Sequence, residues 1–383
     1  MSLFFRFRAV LLCFAILSSI ASAAQDNWAF GHLVSPRHDQ GVDSLFPGPL
    51  DRHLGAAVDA QFFFVNNEYF TPYIEGYTLV GYSLRPTLRW HLCPNLALIG
   101  GLDLLQYGGL DRVSRVSPYF AADWQVTPAI NLRMGNLLGP ASHNLHEAVL
   151  ECESQLIERP ELGLQFSYDA NRVFAGHGWV NWRRFIFLGD TVPENFSAGI
   201  SALLRPRSRF RIPFSIVFEH IGGQISNYPD KMQSLANLSV SPSFDILARL
   251  SDSPSFFRSL SLSVHALLFH TMAGASVRPF ADGGAFSPEL ALECRFLRAS
   301  INWFRAHNFF SPHGNHLYMS LSNYDASVYS PNRSIFTLGA SLFKQIGPSA
   351  RFSLSAKAFY DNFDSRFDYS YAMTLILSPN TIR

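Results

Sequence analysis

The sequence is short of charge. Asp, Glu, Lys and Arg together make up 15% of its 383 residues, against about 25% in an ordinary soluble domain. A chain of this size therefore has too few charged side chains to coat a soluble surface. Lysine is scarce, standing only at Lys231, Lys344 and Lys357. The net charge of +1 offers no basic face, so nucleic acid is not expected as a partner. Cysteine is sparse too. Cys13 lies in the N-terminal apolar run, and Cys93, Cys152 and Cys294 form an odd, widely spaced set without a disulfide framework or a metal motif. Beyond residue 23, no run approaches the roughly 18 apolar residues of a membrane-spanning helix.

What is present points to export and to strands. Arg6 and Arg8 precede the apolar run Ala9–Ile20, and Ala21-Ser22-Ala23 forms an A-x-A cleavage site, so residues 1–23 are expected to be a signal peptide. Aromatics reach 14%, with 35 Phe. An exported, charge-poor chain without a spanning helix has one good membrane solution, a closed β-barrel, because lipid demands that every backbone N–H and C=O be paired. A large secreted β-sandwich is the soluble alternative.

Period-two alternation carries this expectation. A transmembrane strand of about 9–11 residues turns apolar side chains to lipid and polar ones to the lumen. Gly163, Gln165 and Ser167 oppose Leu162, Leu164, Phe166 and Tyr168; Ser261, Ser263 and His265 oppose Leu260, Leu262, Val264 and Ala266. Near the C-terminus, Arg351, Ser353, Ser355 and Lys357 oppose Phe352, Leu354, Ala356 and Ala358, and Arg366, Asp368, Ser370 and Thr374 oppose Phe367, Tyr369, Tyr371 and Met373. Seventeen segments read as strands, 315–325 among them. Single-chain barrels usually have an even number, so the expected fold is an all-β, transmembrane antiparallel β-barrel of about 16 strands, with 14 to 18 open. The domain plan is a signal peptide at 1–23, an irregular segment at 24–52 and a barrel at 53–383. Longer Pro-, Gly-, Ser- and His-rich stretches, including 139–160, 222–233 and 306–316, suit the extracellular side. Trp90, Trp124, Trp179, Trp182, Trp303, Tyr360, Tyr369 and Tyr371 fall at strand ends, where amphipathic rings form girdles or simply pack within the sheet.

Three clusters invite a chemical reading. His220 falls in phase with Ile212, Phe214, Ile216 and Phe218 and so faces lipid, where a His able to activate Ser226 would make a lipid hydrolase. Six residues separate the pair, however, and a hairpin loop explains the segment better. His307, His313 and His316 suggest metal ligands, but no acidic ligand lies nearby in sequence, which favours a solvated extracellular loop. Glu147, Glu151, Glu153, Glu158 and Glu161 are either a hydrated surface loop or a loop folded inward as a charged constriction. Parity places Asp59, Asp103, Glu289, Glu293, Arg295, Arg351, Lys357, Arg366 and Asp368 on the lumen face, compatible with a water-filled pore or a salt-bridged interior.

Met134-Gly135-Asn136-Leu137-Leu138-Gly139-Pro140 with Ala141-Ser142-His143, Trp179-Val180-Asn181-Trp182 running through Phe185 to Asp190, His220 to Gln224, and Phe310 to Gly314 together resemble a group of porin-like outer-membrane β-barrel proteins of Bacteroidota. The resemblance spans most of residues 130–320 and implies an outer-membrane barrel; it brings no catalytic residues. The chain departs from the usual barrel ending, because Ser-Pro-Asn-Thr-Ile-Arg follows Leu377 where an aromatic residue is customary. The expected function is a channel or transport barrel for small hydrophilic solutes, not an enzyme and without a cofactor. The expected partners are outer-membrane lipid and other envelope proteins, and a non-conducting accessory barrel and the hydrolase are the alternatives.

Overall fold

The computed structural model describes residues 54–378, apart from 170–172, 208, 224–226, 228–231, 248–255, 275–277 and 348. The expected signal peptide, the segment 24–52 and Ser226 lie outside the described residues.

Sixteen strands run antiparallel in chain order: β1 Leu54–Glu68, β2 Tyr77–Cys93, β3 Leu96–Tyr107, β4 Arg115–Thr127, β5 Ile130–Asn136, β6 Leu162–Asp169, β7 Phe174–Arg184 and β8 Glu194–Arg207. They continue with β9 Phe210–Gly222, β10 Gln233–Val240 with its continuation Ser243–Asp245, β11 Phe257–Gly274, β12 Asp282–Cys294, β13 Leu297–His307, β14 Asn332–Ile346, β15 Ala350–Asp361 and β16 Arg366–Leu377. The two pieces of β10 pair with the same neighbours, β9 and β11, on either side of Ser241-Pro242. Pro242 has no N–H to give the ladder, which accounts for the break. The sheet closes on itself through β1 and β16, from Ala60 opposite Leu377 to Glu68 opposite Tyr369.

Closure leaves no free edge, as lipid requires. The alternation read from the sequence sorts as expected. In β2, Val80, Tyr82, Leu88 and Trp90 face outward, while Arg85, Thr87 and Arg89 face the lumen. Of the eight strand-end aromatics, Trp90, Trp124, Trp182, Tyr360, Tyr369 and Tyr371 are exposed on the outer surface, whereas Trp179 is buried on the inner one. The expected strand at 315–325 is not one. Its apolar side chains Leu317, Tyr318 and Met319 pack inside the barrel around a 3-10 turn, His316–Tyr318, so an apolar run that resembled a strand belongs to an inserted loop.

Turns after the even-numbered strands are mostly short, two residues between β2 and β3 and between β4 and β5, while the connections after odd strands are longer. By the usual asymmetry of such barrels, the short turns are periplasmic and the long loops extracellular. Two neighbours break the pattern of strand length: β5 has 7 residues and β6 has 8. Their extracellular ends stop low in the wall, and there the chain between them leaves the sheet and enters the lumen.

The face assignment is testable at Leu338, which is 62% exposed near the middle of β14. Leu338→Arg should lower the unfolding free energy of the bilayer-reconstituted barrel by about 2–4 kcal/mol. An unchanged denaturant midpoint would mean that this face does not meet lipid.

Candidate functional site

The extracellular half of the lumen is filled by two loops, 137–161 and 308–331. Leu137, Leu145, Ala148 and Val149 from the first, with Phe309, Leu317, Tyr318 and Met319 from the second, pack against Leu267, Phe269, Phe304, Ile335 and Phe359 of the wall. The loops also bond to each other. Glu151 N–H donates to His313 O (2.7 Å), Asn315 N–H to Glu147 O (3.0 Å), and Ser311 Oγ to Val149 O (2.8 Å). Gly314 permits this approach, since a Cβ there would sit 2.0 Å from the Ala148 carbonyl oxygen. The segment expected as a solvated extracellular loop thus folds inward, because its apolar side chains find a core there. Within it, His313 Nε2 lies 3.0 Å from Glu219 Oε2 of β9, an acidic neighbour that sequence distance concealed. His316 packs against Phe310, and exposed His307 meets Asn332.

The five loop glutamates take different places. Glu147 pairs with Lys357 of β15 at 2.5 Å and accepts from Asn315 Nδ2. Burial opposes its ionisation, but the Lys357 ammonium holds the carboxyl below its ordinary range. Glu153 accepts from Asn67 Nδ2 and from the Tyr77 hydroxyl, each at 2.8 Å. Glu158 binds Arg183 at 3.0 Å, and Arg115 donates to the Ile157 and Glu158 carbonyls, so arginines from β4 and β7 clasp the loop where it rejoins the wall. Glu161 receives His143. Glu151 Oε1 is buried without a hydrogen-bond partner among the described residues. Burial first, then the neighbouring Glu153 and Glu147, push its carboxyl up to about 8.

Of the nine residues assigned to the lumen by parity, Lys357 and three others form ion pairs. Asp103 meets Arg85 (2.6 Å) and Arg115 (3.3 Å), Glu289 meets Arg298 (3.1 Å), and Glu293 lies 3.7 Å from Arg258. Asp59 is half-buried on the same face of β1. Asp368 accepts from Phe70 N–H and Thr71 N–H, and Arg366 donates to Phe70 O, so both tie down the β1–β2 loop at the rim. Arg351 lies against the Phe343 ring. Arg295 departs from its expected place: it is exposed in the two-residue turn between β12 and β13, where alternation no longer applies. Sequence reasoning passed over a deeply buried pair, Arg333 with Asp361 at 2.7 Å, in which Arg333 also donates to Met319 O and covers the Tyr73 ring. Its period-two phase in β14 was the available signal.

Among the described residues, a histidine constellation lies on each side of the wall. Inside, His143 Nε2 lies 2.9 Å from Glu161 Oε2 and its Nδ1 lies 3.0 Å from His177 Nε2, with the ring stacked on Trp179 at 3.8 Å. Gln165 links His177 to Ser142, and Asn181 donates to Glu161. Outside, His220 faces lipid as its phase requires. Its neighbour is Ser234 rather than Ser226: the residues are paired across β9 and β10, and His220 Nδ1 lies 3.1 Å from Ser234 Oγ. His220 is half-buried and Ser234 buried. The Phe196 and Phe218 rings flank the imidazole at 5.1 Å and 6.4 Å. Both residues lie within two positions of the extracellular ends of their strands.

The closed sheet, its lipid-facing belt and its inserted loops define a bacterial outer-membrane β-barrel of porin-like architecture. OpdL of Pseudomonas aeruginosa superposes with a TM-score of 0.52 at 12% identity, covering 86% of this chain and 99% of that one. A loop-deletion form of OmpT, an outer membrane protein of Vibrio cholerae, gives 0.51 at 8% identity, with coverage of 85% and 100%. No curated protein matches the sequence. The family model for the lipid A 3'-O-deacylase type matches residues 46–382, and the chain belongs to that family. This membership overturns the expectation that the barrel is not an enzyme. Ser226, considered with His220 in the sequence, lies outside the described residues, and the serine opposed to His220 across the sheet is Ser234.

The perturbed loop acid gives a pH dependence with a definite sign. An acid whose folded pKa lies above its unfolded value takes up a proton on folding. The contribution of Glu151 to stability is therefore greatest below pH 4.5 and falls as pH rises toward about 8. Glu151→Gln should flatten this part of the stability–pH curve, measured by unfolding in detergent between those limits. A slope that the substitution leaves unchanged would place the titrating group elsewhere.

Proposed function

We propose that the barrel is an acyl-ester hydrolase acting on lipid A in the outer leaflet, with Ser234 as nucleophile and His220 as its base. The observation that carries this reading is the 3.1 Å approach of Ser234 Oγ to His220 Nδ1 on the lipid-facing wall. Lipid A presents its acyl esters at the boundary between sugar and hydrocarbon, and the position of the pair near the extracellular ends of β9 and β10 supports this reading. In the reacting state the Ser234 hydroxyl donates to Nδ1. As Oγ bonds to the ester carbonyl carbon, the proton passes to the imidazole; collapse of the adduct returns it to the departing sugar oxygen. Water, deprotonated by the same nitrogen, then adds to the acyl-enzyme carbonyl, and as the fatty acid leaves, the imidazolium returns the proton to Ser234 Oγ. No carboxylate touches His220 among the described residues, and the Phe196 and Phe218 rings hold the imidazole plane in its place.

His220→Ala should slow release of fatty acid from lipid A in mixed micelles by about 10²–10⁴-fold, and Ser234→Ala should lower it at least as far. Thin-layer or mass-spectrometric assay of the product checks both. Full activity in Ser234→Ala, with loss in His143→Ala, would move the chemistry to the lumen.

Passage of small hydrophilic solutes is the second reading, favoured by the polar inner wall around Arg85, Asp103, Asp123 and Arg298. It requires discrete conductance steps in planar bilayers, and a correctly folded barrel that shows none would sink it.

A further inference from the structure

The connection between β7 and β8 displays an apolar tip that neither the lumen core nor the proposed chemistry uses. Phe185 is 67% exposed, Phe187 73% and Leu188 86%, while Ile186 between them is buried. Such exposure is costly in water, since burying one side chain of this size is worth about 1.5–3 kcal/mol. The tip is nevertheless held firmly. Phe187 N–H donates to Asp190 Oδ2 at 2.8 Å and Asp190 N–H returns to Phe187 O at 3.1 Å. Gly189, with φ of +92°, occupies the left-handed region that a β-carbon disfavours. Asn227 of the next long loop donates from its N–H to Asp190 O at 2.8 Å.

Its place in the wall says what it meets. Trp182, Phe196, His220 and Ser234 stand opposite one another across four successive strands, in a single transverse row on the lipid face. The Trp182 ring stacks on Phe196 at 5.0 Å, and Phe196 lies against His220. Phe185 follows Trp182 by three residues, so the tip rises from one end of the row that ends in the Ser–His pair. With strands about 4.8 Å apart, the base of the tip stands roughly 10 Å from His220.

We infer that Phe185, Phe187 and Leu188 form a rigid lip that inserts among the acyl chains of the outer leaflet and seats a membrane-resident acyl ester beside His220 and Ser234. The occupant is the hydrocarbon of a lipid, because the lip continues the lipid-facing belt and carries no charge of its own between Phe185 and Leu188. The lip makes the site selective for esters presented in a bilayer over esters dissolved in water. This selectivity rests on the hydrolase reading, but insertion of the lip does not.

Two measurements separate these parts. Leu188→Trp in reconstituted barrels should add a blue-shifted emission, relative to the unsubstituted protein, that acyl-brominated phospholipids quench. Added emission that stays red-shifted and unquenched would overturn the lip, whatever the barrel hydrolyses. For the selectivity, Phe187→Ser with Leu188→Ser should raise KM for lipid A in vesicles by at least about tenfold. Turnover of p-nitrophenyl butyrate in solution should stay unchanged, which also reports that the variant is folded. Equal loss on both esters, or none on either, would refute the seating role. Quenching in a barrel that cleaves neither ester would leave the lip standing and remove the hydrolase.

Discussion

Every other feature of this molecule depends on the need to pair each backbone N–H and C=O within lipid. That need forces closure through β1 and β16 and makes period two the governing pattern of the sequence. It also dictates where irregular chain can go. Residues 137–161 and 308–331 cannot lie against hydrocarbon, and they are too apolar to stand in water. They fold into the lumen, where their backbone groups bond to one another and their side chains complete a core.

The lumen is consequently two environments. Toward the extracellular side it is packed like a protein interior, anchored by the Lys357–Glu147 and Arg333–Asp361 pairs. A charge left unpaired there would be strongly destabilising, and in both of these pairs the cation meets a carboxylate. Along β2 to β5 the wall carries ladders of alternating sign, with Arg89 and Arg133 on Asp123 and Arg85 and Arg115 on Asp103. The short strands β5 and β6 are the price of admitting a loop through the wall.

The barrel was legible in the sequence because alternation is a local signal. Strands 162–168 and 351–358 could be read residue by residue. The segment 315–325 was misread for the same reason: an apolar run packed within a lumen loop looks like one packed in a wall. Pairing across strands is not local. The phase of His220 was readable, but its neighbour Ser234 lies fourteen positions along the chain and is brought opposite by the β9–β10 register. Glu219 reaches His313 from 94 positions away, which no spacing rule anticipates. Lumen charges such as Arg333 carry a phase but no sign of their partners until the loops are in place.

The lipid-facing row from Trp182 to Ser234 joins the fold to the proposed chemistry, since the register that seals the barrel also sets a hydroxyl against an imidazole. Its most direct test is covalent. The barrel in lipid A-containing micelles would be treated with a long-chain alkyl phosphonate that traps nucleophilic serines, then digested and analysed by mass spectrometry. The expected result is one adduct, on Ser234, that disappears in His220→Ala. Active protein that forms no adduct on Ser234, or forms it on Ser142 in the lumen, would contradict the assignment.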